Sequence, residues 1–147
     1  MAKASAKELF DKGMEALVHN KTLAALAFFE KGLQLEDNPS IYPPLAFCIA
    51  KERGQTRKAI ELCEEAIQKD PSNALHYLYL GKIYLHIHNR DYAIMAFRAG
   101  LKYETNSRII DELNKLATRK PPVISFLKRS NPVNKYLGIV LAKLGLR

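Results

Sequence analysis

The chain of 147 residues is 48% hydrophobic and 26% charged, fractions that are typical of a single globular domain. Its two cysteines, Cys48 and Cys63, form neither a zinc-binding spacing nor a disulfide framework, which predicts a reducing compartment. The N-terminus lacks an apolar signal core, and the apolar run at residues 136–142 is far shorter than the ~20 residues that cross a bilayer. We therefore expect a cytoplasmic protein rather than an integral membrane protein.

The net charge of +8 is concentrated at the C-terminus. Residues 1–118 carry 16 Lys and Arg against 15 Asp and Glu, whereas residues 119–147 carry seven basic residues and no acidic one. An interaction with nucleic acid or an anionic membrane would therefore depend on this tail, because the body of the chain has almost no excess of basic residues.

The first predicted element is a pair of helices near the N-terminus. Ser5 and Glu8 have the spacing of a capping box, which starts a helix. The polar stretch 19–21 ends this first helix, and residues 23–35 form the second.

Two further helix pairs and a seventh helix follow. Gly54 is the predicted stop of the third helix, because glycine readily adopts the left-handed conformation that ends helices. No segment alternates between apolar and polar residues as a half-buried strand does. The remaining predicted helices span, in order, residues 42–53, 56–69, 74–88, 90–103 and 108–118.

A period of 34 residues relates the three pairs. Ala25, Ala59 and Ala93 are separated by this period, and so are Gly32, Ala66 and Gly100. Such small residues on one helix face allow a neighbouring helix to approach closely. The period predicts a domain at 1–120 with repeats at about 6–39, 40–73 and 74–107 and a capping helix at 107–118.

The third repeat carries the most complete motif. On this motif the chain resembles the tetratricopeptide repeat family over about residues 5–118, with Tyr77 in place of the family's tryptophan. The motif residues are Tyr77, Leu80, Gly81, Tyr84, Ala93 and Phe97.

The second repeat departs from the family pattern. Phe47 replaces the usual small glycine, and Cys63 replaces a packing aromatic residue. Pro43 and Pro44 must lie in the first helical turn or before it, because a later proline would remove helix hydrogen bonds. We therefore expect a first helix that is short or displaced in this repeat.

The resemblance implies an all-α, right-handed solenoid of three helical hairpins, to which the residue pattern adds a capping helix and a C-terminal amphipathic helix. It also implies a protein–protein interaction module or adaptor that holds a peptide or helix in a concave groove lined by the first helix of each pair. In this register the groove residues are Phe10, Met14, Leu17, Leu45, Cys48, Leu78, Tyr79, Lys82, Leu85 and His86.

One function known in the family can be tested on the residues. Its chaperone-binding members grip a C-terminal carboxylate with lysine, asparagine and arginine side chains, none of which occupies the matching positions here. We therefore expect an apolar or amphipathic partner helix rather than the C-terminal tail of a chaperone. The matching positions are Phe10, Met14, Leu45, Leu75 and Tyr79.

Patterns for catalysis, metals and cofactors are missing from the sequence. There is no nucleophile elbow and no glycine-rich phosphate loop. His86 and His88 are two residues apart, so a helix would direct them to different faces rather than to one metal ion. We expect a non-catalytic protein without a metal or a cofactor.

The segment 121–147 is predicted as a basic extension that contains an amphipathic helix at 132–144. Its apolar stripe must be covered, and we favour the protein's own repeats or a second copy over a membrane. The chain from 119 to 131 reaches ~40 Å, which is enough to return to the repeats. The alternative function is a scaffold whose basic tail binds an anionic membrane surface or nucleic acid. The stripe is Val133, Tyr136, Leu137, Val140, Leu141 and Leu144.

Overall fold

The computed structural model describes residues 3–119, and the predicted helix at 132–144 lies outside them. Within the described residues the chain forms seven α-helices and one 3-10 turn, with no strand. None of these helices has the length and the apolar character needed to span a bilayer. The helices are α1 (Ala6–Val18), α2 (Thr22–Leu35), α3 (Tyr42–Arg53), α4 (Thr56–Lys69), α5 (Ala74–His86), α6 (Arg90–Leu101) and α7 (Ser107–Arg119), and the 3-10 turn is Pro39–Ile41. The predicted all-α helical repeat architecture is confirmed.

Local capping residues set the helix ends. The backbone N–H of Glu8 donates to Ser5 Oγ over 3.1 Å, which confirms the predicted start of α1. Asn73 and Asn89 cap α5 and α6 in the same way, through their side-chain oxygens. Gly54 has a φ of 66° and ends α3, as predicted.

The helix α5 ends two residues earlier than the sequence pattern predicted. His88 adopts a φ of 63°, and the N–H of Asn89 turns back to donate to the carbonyl of Tyr84 over 2.8 Å. This left-handed residue reverses the chain so that the side chain of Asn89 can cap α6. The turn therefore replaces the last two predicted residues of α5.

The first helix of the second pair starts with two prolines, later than its counterparts in the other pairs. Pro43 and Pro44 lie in the first turn of α3, where their missing N–H groups have no helical acceptor to lose. The preceding 3-10 turn leads the chain into α3, which starts at Tyr42, two residues later than the period from Ala6 to Ala74 predicts, and has 12 residues where α1 and α5 have 13. The expected displacement is therefore found at the start of this helix, and its length is reduced by one residue.

Within each pair the two helices meet at a fully buried alanine, which is Ala25, Ala59 or Ala93. In the first and third pairs a phenylalanine ring of the second helix also lies directly over a glycine of the first. A Cβ atom added to Gly13 would overlap the ring of Phe29. One added to Gly81 would overlap the ring of Phe97 in the same manner. These glycines are required because the ring occupies the space of any side chain.

The last described helix, α7, packs on the third pair. Ile109 is fully buried. Its Cδ1 atom would lie only 2.9 Å from a Cβ atom added to Gly100, which is closer than real Cβ contacts allow. The Cβ atom of Tyr77 is equally close. The absence of a side chain at Gly100 thus allows α7 to approach, in agreement with the role predicted for the small residues of the period.

Candidate functional site

The inner cleft of the molecule lies between α1, α5 and α7 and has a volume of about 220 Å³. Apolar side chains come from α1, whereas α5 and α7 add charged groups. This combination gives the cleft an apolar floor and a polar rim. Its lining residues are Met14, Leu17, Val18, Leu78, Tyr79, Lys82, Arg108, Asp111, Glu112 and Lys115.

The floor of the inner cleft joins the first repeat to the third. The hydroxyl of Tyr79 points at Met14 Sδ across 3.8 Å, and the two residues are 65 positions apart in the chain. Burial raises the pKa of Tyr79 to about 12. The solenoid is therefore curved enough for its first and third helix pairs to touch through their first helices.

Phe47 of α3 adds an aromatic wall beside this floor. Its ring centroid lies 6.1 Å from that of Tyr79, and the Lys82 ammonium nitrogen lies 4.9 Å from the Phe47 centroid and 5.6 Å from that of Tyr79. The ammonium of Lys51 approaches the same Phe47 ring to 5.5 Å. These distances are within the range of cation–π contacts.

The opposite wall belongs to α7. Its cleft-lining side chains are Arg108, Asp111, Glu112 and Lys115, and Lys115 Nζ lies 3.6 Å from Glu112 Oε1. Arg108 lies beside the Tyr79 hydroxyl and opposes the burial that raises the pKa of that group.

Sequence reasoning missed both of these walls, although each had a visible signal. Phe47 was recognised only as a departure from the family's glycine. The helix α7 begins about one repeat length after α5, so it stands where the first helix of a fourth repeat would stand. A large residue at the motif's glycine position, and a residue on a helix in the place of α7, are therefore both candidates for the concave face.

The predicted groove residues divide by burial. Phe10, Met14, Leu17, Lys82 and Leu85 are half-buried, and His86 is exposed. Of these, Phe10 turns its ring toward Phe29, with 6.0 Å between the centroids, and packs against the core of the first pair.

The remaining four predicted groove residues are buried. Leu78 and Tyr79 still line the inner cleft from beneath. Leu45 and Cys48 do not line it: both pack in the core of the first two pairs, and Leu45 also faces a second, outer cleft between α2, α3 and α4. Burial raises the pKa of the Cys48 thiol to about 12. The helix α3 contacts α2, α4 and α5, and these contacts bury Leu45 and Cys48 away from the inner cleft.

The described residues contain no group of three or more His, Cys, Asp or Glu side chains that could hold a metal ion. His86 and His88 are both exposed, one at the end of α5 and one in the following turn. Neither cysteine of the chain is in a disulfide, and both are buried.

Comparison with known proteins agrees with the geometry. Residues 62–94 match the family model described as tetratricopeptide repeat. No curated protein matches the chain significantly. The first TPR domain of Spaghetti (RPAP3), solved with the HSP90 peptide SRMEEVD, aligns with a TM-score of 0.58 and 20% identity over 78% of this chain and 92% of that one.

A second solved structure, the Sgt2 TPR domain from Aspergillus fumigatus, aligns with a TM-score of 0.61 and 19% identity over 86% of this chain and 87% of that one. The Hsp90 co-chaperone Cns1 from Saccharomyces cerevisiae aligns with a TM-score of 0.56 and 22% identity over 80% of this chain and 40% of that one. At these identities the likeness establishes the fold.

Proposed function

We propose that this chain, an array of tetratricopeptide repeats, is a non-catalytic protein–protein interaction module or adaptor that binds an apolar or amphipathic peptide or helix in its inner cleft. Its partner is another protein, and we place the interaction in the cytoplasm. The buried, unpaired cysteines are consistent with a reducing compartment.

The apolar edge of the inner cleft is the observation that carries this proposal. Val18, which lines the cleft, leaves 69% of its surface exposed, and the neighbouring Met14 and Leu17 are half-buried. Exposed apolar side chains beside a concave surface with a charged rim are typical of grooves that bind an amphipathic helix.

The solved relative bound to a peptide supports a peptide-binding role for the fold. Its ligand is the acidic peptide SRMEEVD. In the present chain the positions that would form a carboxylate clamp hold Phe10, Met14, Leu45, Leu75 and Tyr79, of which Leu45 and Tyr79 are buried. The proposed partner therefore contacts this cleft chiefly through apolar side chains, with charges at the border.

The test is quantitative capture of partner proteins from the native cell extract by the full-length protein and its variants. Val18→Glu and Met14→Glu each place a carboxylate on the apolar edge, so each should reduce capture about tenfold or more. Tyr79→Glu is less suitable, because Tyr79 is buried and its replacement would bury a charge in the core. Far-UV circular dichroism should remain helical in both cleft variants.

Leu35→Glu is the matched control. Leu35 ends α2, leaves 57% of its surface exposed and lies outside the lining of the inner cleft. It should capture the same partners as the unmodified protein. Equal capture by all three variants would move the binding surface away from the inner cleft.

A second candidate function follows from the charge of the tail. Residues 119–147 hold seven basic residues and no acidic one, so an anionic membrane or nucleic acid could bind there. Full-length protein and a variant without residues 121–147 should be compared for binding to phosphatidylserine vesicles and to DNA at low and high salt. Binding that requires the tail and is lost in high salt would support this second function.

The same truncation tests whether the tail packs on the repeats. If it does, removing residues 121–147 exposes apolar surface, which should lower the melting temperature and increase binding of a hydrophobic dye. Identical melting and dye binding would show that the repeats do not need the tail. Self-association through the tail would appear as a concentration-dependent change in mass that the truncated variant lacks.

A further inference from the structure

The charged groups around the inner cleft are not balanced. Three cations border it directly, Lys82, Arg108 and Lys115, and Lys51 adds a fourth beside the Phe47 wall. The carboxylates that line the cleft are Asp111 and Glu112, and Glu112 is already close to Lys115. The rim therefore has an excess of positive charge, although residues 1–118 as a whole are nearly neutral.

Lys82 is the central cation of this group. It is half-buried, and its ammonium lies over the rings of Phe47 and Tyr79. Burial lowers its pKa most, Glu112 raises it, and the neighbouring cations, which are Lys115, Arg108 and Lys51, lower it. Within the described residues no carboxylate lies within 4 Å of its nitrogen. An ammonium that is partly removed from water gains from a close anion, and this site provides two aromatic faces instead.

From this arrangement we infer that the segment bound in the inner cleft is an acidic amphipathic helix. Its apolar face lies on Met14, Leu17 and Val18, and a glutamate or aspartate at the border of that face pairs with Lys82. The inference rests on the proposed function, and it adds the charge that the partner must carry. The pair would form beside aromatic rings in a partly desolvated site, where charge pairs are stronger than on an open surface.

The charge of the cleft also disfavours the chain's own tail as the occupant. The tail has seven basic residues without an acidic one, so it would add positive charge to a rim that already has an excess of it. Its apolar stripe would have to be covered elsewhere. Complementary charge therefore selects a separate acidic protein segment rather than the tail.

The inference can be tested on the full-length protein with three synthetic helical peptides of equal length. All three have the same leucine stripe, and the remaining positions are glutamate, glutamine or lysine. The glutamate peptide should bind at least about tenfold more tightly than the lysine peptide, and the difference should shrink as salt rises. Fluorescence anisotropy of labelled peptides provides the dissociation constants.

The Lys82→Met variant should remove most of this preference while keeping the apolar contacts of the side chain. Lys31→Met is the matched control: Lys31 is exposed on α2, outside the cleft, and its replacement changes the net charge equally. The reverse-charge variant Lys82→Glu should lose the preference for the glutamate peptide entirely, because three basic and three acidic side chains then surround the cleft. Circular dichroism should show that the three variants are folded.

The outcomes separate the two levels of the proposal. If the three peptides bind equally and Val18→Ser weakens all of them, the cleft binds helices but the acidic partner is overturned. If no peptide binds, or Val18→Ser changes nothing, the proposed function itself fails.

Two further peptides test the inference from other sides. A glutamate peptide without leucines that binds as tightly, or a peptide of residues 131–147 that displaces the acidic one, would also overturn the inference. The first result would mean a general polyanion site, and the second would mean that the tail is the occupant.

Discussion

The middle helix pair differs from the two outer pairs at one contact between its two helices, called the joint below, where an aromatic ring of one helix meets a small residue of the other in the outer pairs. In the outer pairs the rings of Phe29 and Phe97 lie over a glycine of the partner helix. In the middle pair the large and small residues are exchanged: Phe47 is on the first helix and Cys63 on the second. The outer pairs α1–α2 and α5–α6 pack more extensively than α3–α4.

This exchange links stability to the binding surface. Cys63 is fully buried and fills the joint with a small side chain, so the middle pair has no ring to lock its two helices. The ring of Phe47 is instead directed toward α5, where it contacts Tyr79 and Lys82. The middle pair has thus placed its aromatic residue beside the inner cleft, although Phe47 also packs against the core that α3 and α4 share with Ile83.

The largest expected loss of stability comes from a change at the joint of the third helix pair. Phe97→Ala should lower the free energy of unfolding by about 3–5 kcal/mol, because it leaves a cavity over Gly81 in a fully buried core. Cys63→Ala at the same register should cost only about 1 kcal/mol. Urea unfolding followed by circular dichroism measures both. Equal losses in the free energy of unfolding would mean that the outer and middle joints stabilise the fold equally, which would contradict the difference described between them.

The buried alanine is common to all three pairs, so its replacement should cost a similar amount of stability in the middle pair and in the third pair. Ala93→Leu and Ala59→Leu should each cost about 1–3 kcal/mol, since both alanines are fully buried between the helices of a pair. Ala24→Leu, on the exposed side of α2, is the control and should change stability by less than about 0.5 kcal/mol. Melting temperatures provide the measurement. A stable Ala93→Leu variant would mean that the 34-residue register is misplaced.

A third test compares Tyr42 and His76, which occupy equivalent positions in the second and third repeats. The hydroxyl of Tyr42 donates to the carboxylate of Asp37, and this hydrogen bond is the main reason that the pKa of Tyr42 is raised. His76 is 1% exposed, and its ring nitrogens make no hydrogen bond of ordinary geometry, although the backbone of Asp70 and of Ala66 acts on the ring and raises its pKa. Burial lowers its pKa below the ordinary 6.5, although the nearby Asp70 opposes this shift.

The sign of the resulting pH dependence follows from the lowered pKa. Below a pH of about 6.5 the unfolded chain takes up a proton at His76 that the folded chain still rejects, so stability should decrease as the pH falls. Above that value both states are neutral at this position and its effect vanishes. We expect His76→Leu to lose this part of the acid sensitivity when urea midpoints are compared at about pH 7.5 and about pH 5.5. An unchanged pH dependence in the variant would assign the effect to other groups.

The sequence by itself determined the local features of the fold, because each depends on a few neighbouring residues. The Ser5 cap, the Gly54 stop and the two prolines in the first turn of α3 could all be recognised from short-range rules. The period carried by Ala25, Ala59 and Ala93 determined the helix pairs, since burial between two helices requires a small residue at a fixed spacing. The tail helix at 132–144 remains a prediction.

Only the tertiary structure decided which side chains border the inner cleft. Leu45 and Cys48 are apolar and in register, yet the packing of α2, α4 and α5 around α3 buries them. The curvature of the array brings Met14 within reach of Tyr79, and it places α7 opposite α1 so that its charges line the cleft. Such contacts depend on how successive repeats rotate against one another, and that rotation is the sum of many small packing contacts rather than a property of any local pattern.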